Sequence, residues 1–251
     1  MEAIIKKRLS EIESKHKVKI LHACESGSRA WGFPSPDSDY DVRFIYIHMK
    51  DWYLSIDDKK DSIEVPINDE LDISGWEIRK ALKLYRKSNV LIFEHLQSPI
   101  IYANYNGFYS ELTELSPLYF SPRAALHHYL SMAKNAIKSF EGESVKLKKY
   151  FYALRTSLAG LWIIERDSVP PLLFTDLLDL IKDKEIVNQI DHLMEIKAKK
   201  NETYLNKRDI YLEEYIMNTI EFCDSNNNIF DKKITDSGKL NILFRKYLNM
   251  K

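Results

Sequence analysis

The chain has 251 residues, 45% of them hydrophobic and 29% charged, the balance of an ordinary globular protein with a substantial core rather than of a disordered or fibrous one. Its 37 Lys and Arg match 37 Asp and Glu, divided as 16 basic against 19 acidic in residues 1–115 and 21 against 18 in residues 116–251. That excludes the strong basic bias of a protein that coats duplex DNA, and leaves room for a small or locally held polyanion.

At the start, no basic segment leads into an apolar one, and no apolar run approaches the roughly 18 residues of a membrane span. A cytoplasmic protein without a membrane partner is therefore expected. The two distant cysteines, Cys24 and Cys223, are expected as reduced core thiols and not as a zinc site.

In chain order, residues 2–15 place Ile4, Ile5, Leu9 and Ile12 on one face of a helix and charges on the other. "VKILHAC" reads as a buried strand, "GSRAWGFPSPDS" as a helical turn and loop, and "DYDVRFIYIH" as a second strand rich in aromatic and β-branched residues. A loop around Met49–Lys60 leads into "DSIEVPI", and Asn68, Asp69 and Glu70 turn the chain into "LDISGW", so these two runs are expected as a hairpin or as neighbours in a sheet. From Trp76 the apolar period becomes helical, through Ile78, Ala81, Leu82 and Tyr85, and "VLIFEHL" continues helically to Ser98-Pro99. Beyond about residue 105, strand signals almost vanish and amphipathic helices follow one another, broken at "SVPPL". The expected architecture is α+β: a mixed sheet flanked by helices over residues 1–115, then an all-helical domain over residues 116–251.

The chemistry-bearing stretch is "CESGSRAWGFPSPDSDYDVRFIYI". Alternation along a strand places Asp39 and Asp41 on one face, two carboxylates about 7 Å apart whose mutual repulsion calls for a cation. Asp37, Asp39 and Asp41 also mimic the start of a calcium-binding EF-hand loop, but Val42 and His48 stand where that loop needs Gly and Glu, and its flanks are strands. A plainer reading makes these aspartates turn formers, and Asp37 is assigned to the turn. Gly27-Ser28, between a strand and a helical turn, is a context in which backbone N–H groups and a hydroxyl grip phosphate. Asp72 begins another strand and supplies a third carboxylate if that strand neighbours "DYDVRF".

"GSRAWGFPSPDSDYDVRF" resembles the signature of the polymerase-beta-like nucleotidyltransferases: Gly-Ser, ten residues, Asp-x-Asp, and a third Asp on a later strand. "DVRFIYI", "LDISGWEIRKALKLYRKSN", "FEHLQSPI" and "VKLKKYFYALRTSLAGLWI" are similar to the RNA-ligase-associated branch of that superfamily, over most of the chain. The resemblance implies that Gly27 and Ser28 hold a nucleoside triphosphate, and that Asp39, Asp41 and Asp72 form a catalytic triad binding two Mg²⁺, for which Mn²⁺ can substitute. It further implies transfer of a nucleoside monophosphate to an acceptor hydroxyl with release of pyrophosphate. The branch implies an RNA end as acceptor. A protein side chain or small molecule as acceptor, and a non-catalytic nucleotide- or RNA-binding module, stand as alternatives.

Arg29 is either a phosphate contact or a surface charge. Arg43, on the strand face of Asp39 and Asp41, is either their ion-pair partner or a substrate contact. Lys148, Tyr152 and Arg155 share one helical face and suit a nucleotide or an RNA end, against the plainer reading that aromatic residues at this spacing are core. The basic runs at Arg79–Lys87 and "KAKKNETYLNKR" are expected as mostly solvated faces.

Overall fold

The computed structural model describes residues 1–65, 70–231, 233 and 235–250. The turn expected at Asn68 and Asp69 lies outside the described residues. Two compact units emerge, and neither is continuous: one holds Met1–Gly27, Asp39–Tyr119 and Ile234–Lys251, the other Ser28–Ser38 and Phe120–Lys233. This differs from the single division expected after residue 115.

The first unit is built on a five-stranded mixed sheet. Its strands are β1 (Val18–Ser26), β2 (Tyr40–His48), β3 (Ser62–Glu64), β4 (Leu71–Glu77) and β5 (Ile101–Asn104), in the order β3-β4-β2-β1-β5. β1 runs antiparallel to β2 and β5, and β3 antiparallel to β4. β2 and β4 are parallel, with Asp41 opposite Asp72 and Phe44 opposite Gly75. A side chain at Gly75 would strike the Phe44 ring, 2.3 Å from an added Cβ, which is why this strand carries a glycine in its interior.

One face of the sheet buries Ile20, Val42, Phe44, Tyr46 and Ile73 against Ile5, Leu9 and Ile12 of the helix Glu2–His16. That helix buries Ile5, Leu9 and Ile12 of the face read from the sequence, whereas Ile4 is exposed, and Lys17, at φ 51°, ends it in a left-handed turn. Strand β5 was not expected. Only Tyr102 of its four residues is buried, so it carries almost no apolar pattern and owes its form to pairing with β1. The apolar run "VLIFEHL" is a separate short helix, Val90–His95, capped by Asn89 through its side chain.

The C-terminal helix Gly238–Asn249 belongs to this first unit because its contacts are there. The Tyr247 hydroxyl donates to Glu111 at 2.6 Å and lies 2.9 Å from the Asn106 carbonyl, and Phe244 meets Tyr53 edge-on. Sequence order alone had assigned it to the helical domain.

The second unit is helical, with long helices at Pro122–Lys138, Leu147–Arg166, Lys184–Lys199 and Ile210–Ser225. Pro122 at the first helical position and the Ser121 side chain, accepting from the Ala124 N–H, start the first of these. The unit also contains an unexpected antiparallel pair, β6 (Ser144–Lys146) with β7 (Leu205–Lys207). These three-residue strands fall below the length at which alternation is legible. Among the described residues, no helix is long and apolar enough to cross a membrane.

Candidate active site

Strand β2 opens with Tyr40, so Asp39 sits one residue before it, exposed, and Asp41 is its second residue. Parallel pairing with β4 sets Asp72, also the second residue of its strand, directly beside Asp41. Both carboxylates converge on Arg43, whose Nη2 donates to Asp41 Oδ1 at 3.0 Å and Asp72 Oδ2 at 2.7 Å. Its Nη1 donates to the carbonyls of Val42 and Asp72, at 3.1 and 3.2 Å. Of the two readings of Arg43, the ion pair is the one observed.

Gly27 follows β1 directly, opens the short helix Gly27–Trp31 and adopts φ +62°. A Cβ there would lie 2.2 Å from Asp41 Oδ2. Glycine is therefore required twice, by its left-handed backbone and by the carboxylate pressed against it.

Glu25, two residues earlier, escaped the sequence reading. It is fully buried, its Oε1 accepts the Asp41 N–H at 2.8 Å, and its Oε2 accepts a short hydrogen bond from the Tyr102 hydroxyl. The Ser98 hydroxyl donates to the Glu25 carbonyl at 2.7 Å. This buried carboxylate fixes the backbone at Asp41, and so the height at which the Asp41 side chain stands. The signal was present: a glutamate at the end of an otherwise apolar strand, where an acid is costly to bury without partners.

In the second unit, Ser28 is buried and its carbonyl accepts the Phe33 N–H at 3.1 Å. The Arg29 guanidinium donates to the Ser38 carbonyl at 2.7 and 3.2 Å, clasping the loop 29–38 across its ends. Asp37 accepts the Glu202 N–H at 2.9 Å, in keeping with a turn residue. Lys148 pairs with Glu202 at 2.5 Å, and Tyr152 lies against Trp31 with ring centroids 6.0 Å apart. Arg155 is only 1% exposed and stacks over Trp31 at 4.4 Å, so its guanidinium is a core group and not a surface contact. Lys197, in the basic stretch expected to be solvated, is instead buried at 2% exposure and donates to Ser35 Oγ at 2.8 Å. Burial pulls its pKa below the ordinary lysine value.

In the same unit His22 and His95 are buried, with His22 Nε2 3.4 Å from the His95 carbonyl. Burial lowers His22 to about 4, against the opposing pull of the His95 and Ala103 carbonyls. Burial, then the charges of His22 and Arg43, lowers His95 to about 3. An unfolded chain takes up protons at these histidines as pH falls through about 6.5, whereas the folded chain does not until far lower. Their contribution to stability is thus complete above pH 6.5 and is lost as pH falls toward 4, on the order of a few kcal/mol. Thermal melts are expected to show the melting temperature dropping already between pH 6.5 and 5, before most carboxylates titrate, and dropping less in His22→Gln. A flat profile across that interval would sink this reading. Burial, and next the Glu25 charge, pushes the Cys24 thiol up to about 12, so it is no nucleophile.

Asp41 and Asp72 present hard oxygen ligands that already converge on one cationic group, which fits the preference of magnesium for carboxylates. Among the described residues, no group of three or more His, Cys, Asp or Glu stands together as a ready metal cage. Asp41 and Asp72 are the two carboxylates that could share such an ion.

A family model described as the RNA repair pathway DNA polymerase beta family matches residues 1–246. The chain belongs to this family. Its members are nucleotidyltransferases of the polymerase-beta type, and the chain is accordingly an enzyme of the nucleotidyltransferase class. A curated relative in this range is "Uncharacterized protein YcgL" of Bacillus subtilis (strain 168), 46% identical over 215 residues, spanning 85% of this chain and 83% of the relative. Among solved structures, a nucleotidyltransferase-like protein from Exiguobacterium sibiricum aligns at 13% identity and a TM-score of 0.32, covering 96% of this chain and 80% of that one.

Proposed function

We propose that this member of the RNA repair pathway DNA polymerase beta family transfers a nucleoside monophosphate from a nucleoside triphosphate to a hydroxyl at an RNA end, releasing pyrophosphate. The observation that carries the proposal is the meeting of Asp41 and Asp72 on a single cation in adjacent parallel strands, with Gly27 against the same carboxylate. Asp41 and Asp72, with Asp39, would hold two Mg²⁺. When bound, such ions supply charge neutralisation at the phosphates and Lewis acidity toward the acceptor hydroxyl. Gly27 and the adjoining Ser28 grip the triphosphate with a backbone N–H and a hydroxyl.

In the reaction the acceptor oxygen attacks the α-phosphorus, a new P–O bond forms, and the bond to the bridging oxygen of the β-phosphate breaks. The hydroxyl proton goes to Asp72, which acts as the base. Arg43 holds both carboxylates in orientation until substrate arrives, and its guanidinium must then move aside. Glu25 holds Asp41 in place throughout.

The test incubates purified protein with each labelled triphosphate, Mg²⁺ or Mn²⁺, and separate pools of RNA and protein. Label is expected on RNA ends from at least one triphosphate, and triphosphate with Mg²⁺ is expected to raise the melting temperature through binding to the folded state alone. Absence of transfer from all four triphosphates overturns the reaction, and label confined to the protein pool overturns the acceptor.

A further inference from the structure

The chain as a whole is neutral, yet one strip of the first unit is not. Helix Ile78–Arg86 carries Arg79, Lys80, Lys83 and Arg86, and helix Gly238–Asn249 carries Lys239, Arg245 and Lys246; Lys80 pairs with Asp61 and Lys246 with Glu111, and neither helix itself contains an acidic residue. The two enclose a groove of about 220 Å³, in which Arg79, Lys83 and Arg86 stand above an apolar floor of Leu82, Leu240 and Phe244.

Spacings of four and three residues stack the three cations in one ridge, with steps of about 6 and 4.5 Å along the helix axis. Lys83 is exposed and has no ion-pair partner among the described residues. Arg86 is held by Ser237 Oγ at 2.8 Å. Arg79 is braced by the buried Glu77 at 3.5 Å and lies over two rings, 5.2 Å from Trp52 and 4.7 Å from Tyr53. Tyr53 in turn meets Phe244 of the groove floor at 5.2 Å.

We propose that this groove docks a single strand of RNA, its phosphates along the Arg79–Lys83–Arg86 ridge and its bases against the apolar floor and the aromatic end. Charge complementarity selects a polyanion. A narrow cationic ridge beside aromatic rings suits an unpaired strand, whose bases are open to aromatic side chains, whereas binding along a double helix calls for a strong basic bias, and the net charge of this chain is zero. The groove follows the C-terminal end of β4, while Asp72 lies at that strand's N-terminal end, five residues from Glu77 or about 17 Å. It therefore grips the body of a strand and not the reacting end. The choice of RNA over other single strands rests on the function proposed above, whereas the site itself does not.

Fluorescence anisotropy with a labelled oligoribonucleotide of about 12 residues tests this without triphosphate or metal. The parent is expected to bind, with an affinity that falls steeply with salt. Lys83→Glu combined with Asn241→Glu, both positions lining the groove, is expected to weaken binding at least about tenfold and to flatten the salt dependence. Lys6→Glu combined with Ser10→Glu, both exposed on the helix Glu2–His16, makes the same change of net charge and should bind as the parent does. Unchanged melting temperatures show that each variant is folded. No binding by the parent overturns the proposal, as does equal binding by the double variant, equal loss in the control, or a duplex that binds as tightly as the single strand. Binding without nucleotidyl transfer removes the proposed reaction and leaves the groove. Transfer by a parent whose RNA binding ignores the double variant does the reverse.

Discussion

Asp41→Asn and Asp72→Asn are each expected to lower nucleotidyl transfer by about 10³-fold or more while leaving the fold intact. Both side chains are only partly buried, and they share one guanidinium, Arg43, at 3.0 and 2.7 Å. Removing one carboxylate leaves Arg43 the other, and it also relieves the repulsion between two acids in laterally paired positions. A partly exposed ion pair of this kind contributes about 1 kcal/mol or less, so the melting temperature should move little. Catalysis differs because an amide oxygen is a far weaker ligand for a divalent cation and accepts no proton. Single-turnover transfer of labelled nucleotide, with thermal melts in parallel, separates the two effects. A variant that keeps more than about a tenth of the parent rate excludes that carboxylate from the proposed machinery, and a collapse in melting temperature assigns it a structural role instead.

Gly27→Ala is expected to cost about 1–2 kcal/mol of stability and about 100-fold or more in transfer rate. The stability cost comes from the backbone, since φ +62° is strained for any residue with a Cβ. The activity cost comes from the new methyl group, placed 2.2 Å from Asp41 Oδ2. One of the two must move. The Asp41 backbone is tied to the buried Glu25 carboxylate at 2.8 Å, so the side chain has to rotate, and it leaves its place beside Asp72. The variant should therefore lose turnover out of proportion to its loss of stability. If Gly27→Ala melts lower but transfers at the parental rate, the close approach to Asp41 has no part in catalysis.

Much of the candidate site was legible because its parts are local. Two strands flanking a Gly-Ser turn, and aspartates alternating into the second strand, depend on neighbours within a few residues. The helix Glu2–His16 and the helix after β4 were legible for the same reason, through the spacing of Ile5, Leu9 and Ile12 and of Ile78, Ala81, Leu82 and Tyr85. Strands β5, β6 and β7 were not. They are three or four residues long, with at most one buried position each, and their partners lie far away in sequence. The return of the C-terminal helix to the first unit was hidden too, because an amphipathic helix specifies that it will bury a face without specifying against what.

The sequence by itself determined the family, the strand-turn-strand frame from Val18 to His48, and which acidic residues were available to it. Tertiary structure decided which of them work together. Parallel pairing of β2 with β4 brings Asp72 beside Asp41 across 31 positions of chain, and the register of that pairing is a property of the sheet. Burial decided the rest. It turned Glu25 from a strand-end charge into the prop beneath Asp41, and Arg155 and Lys197 from apparent surface cations into core groups, because a charge can leave water only where folding supplies its partners.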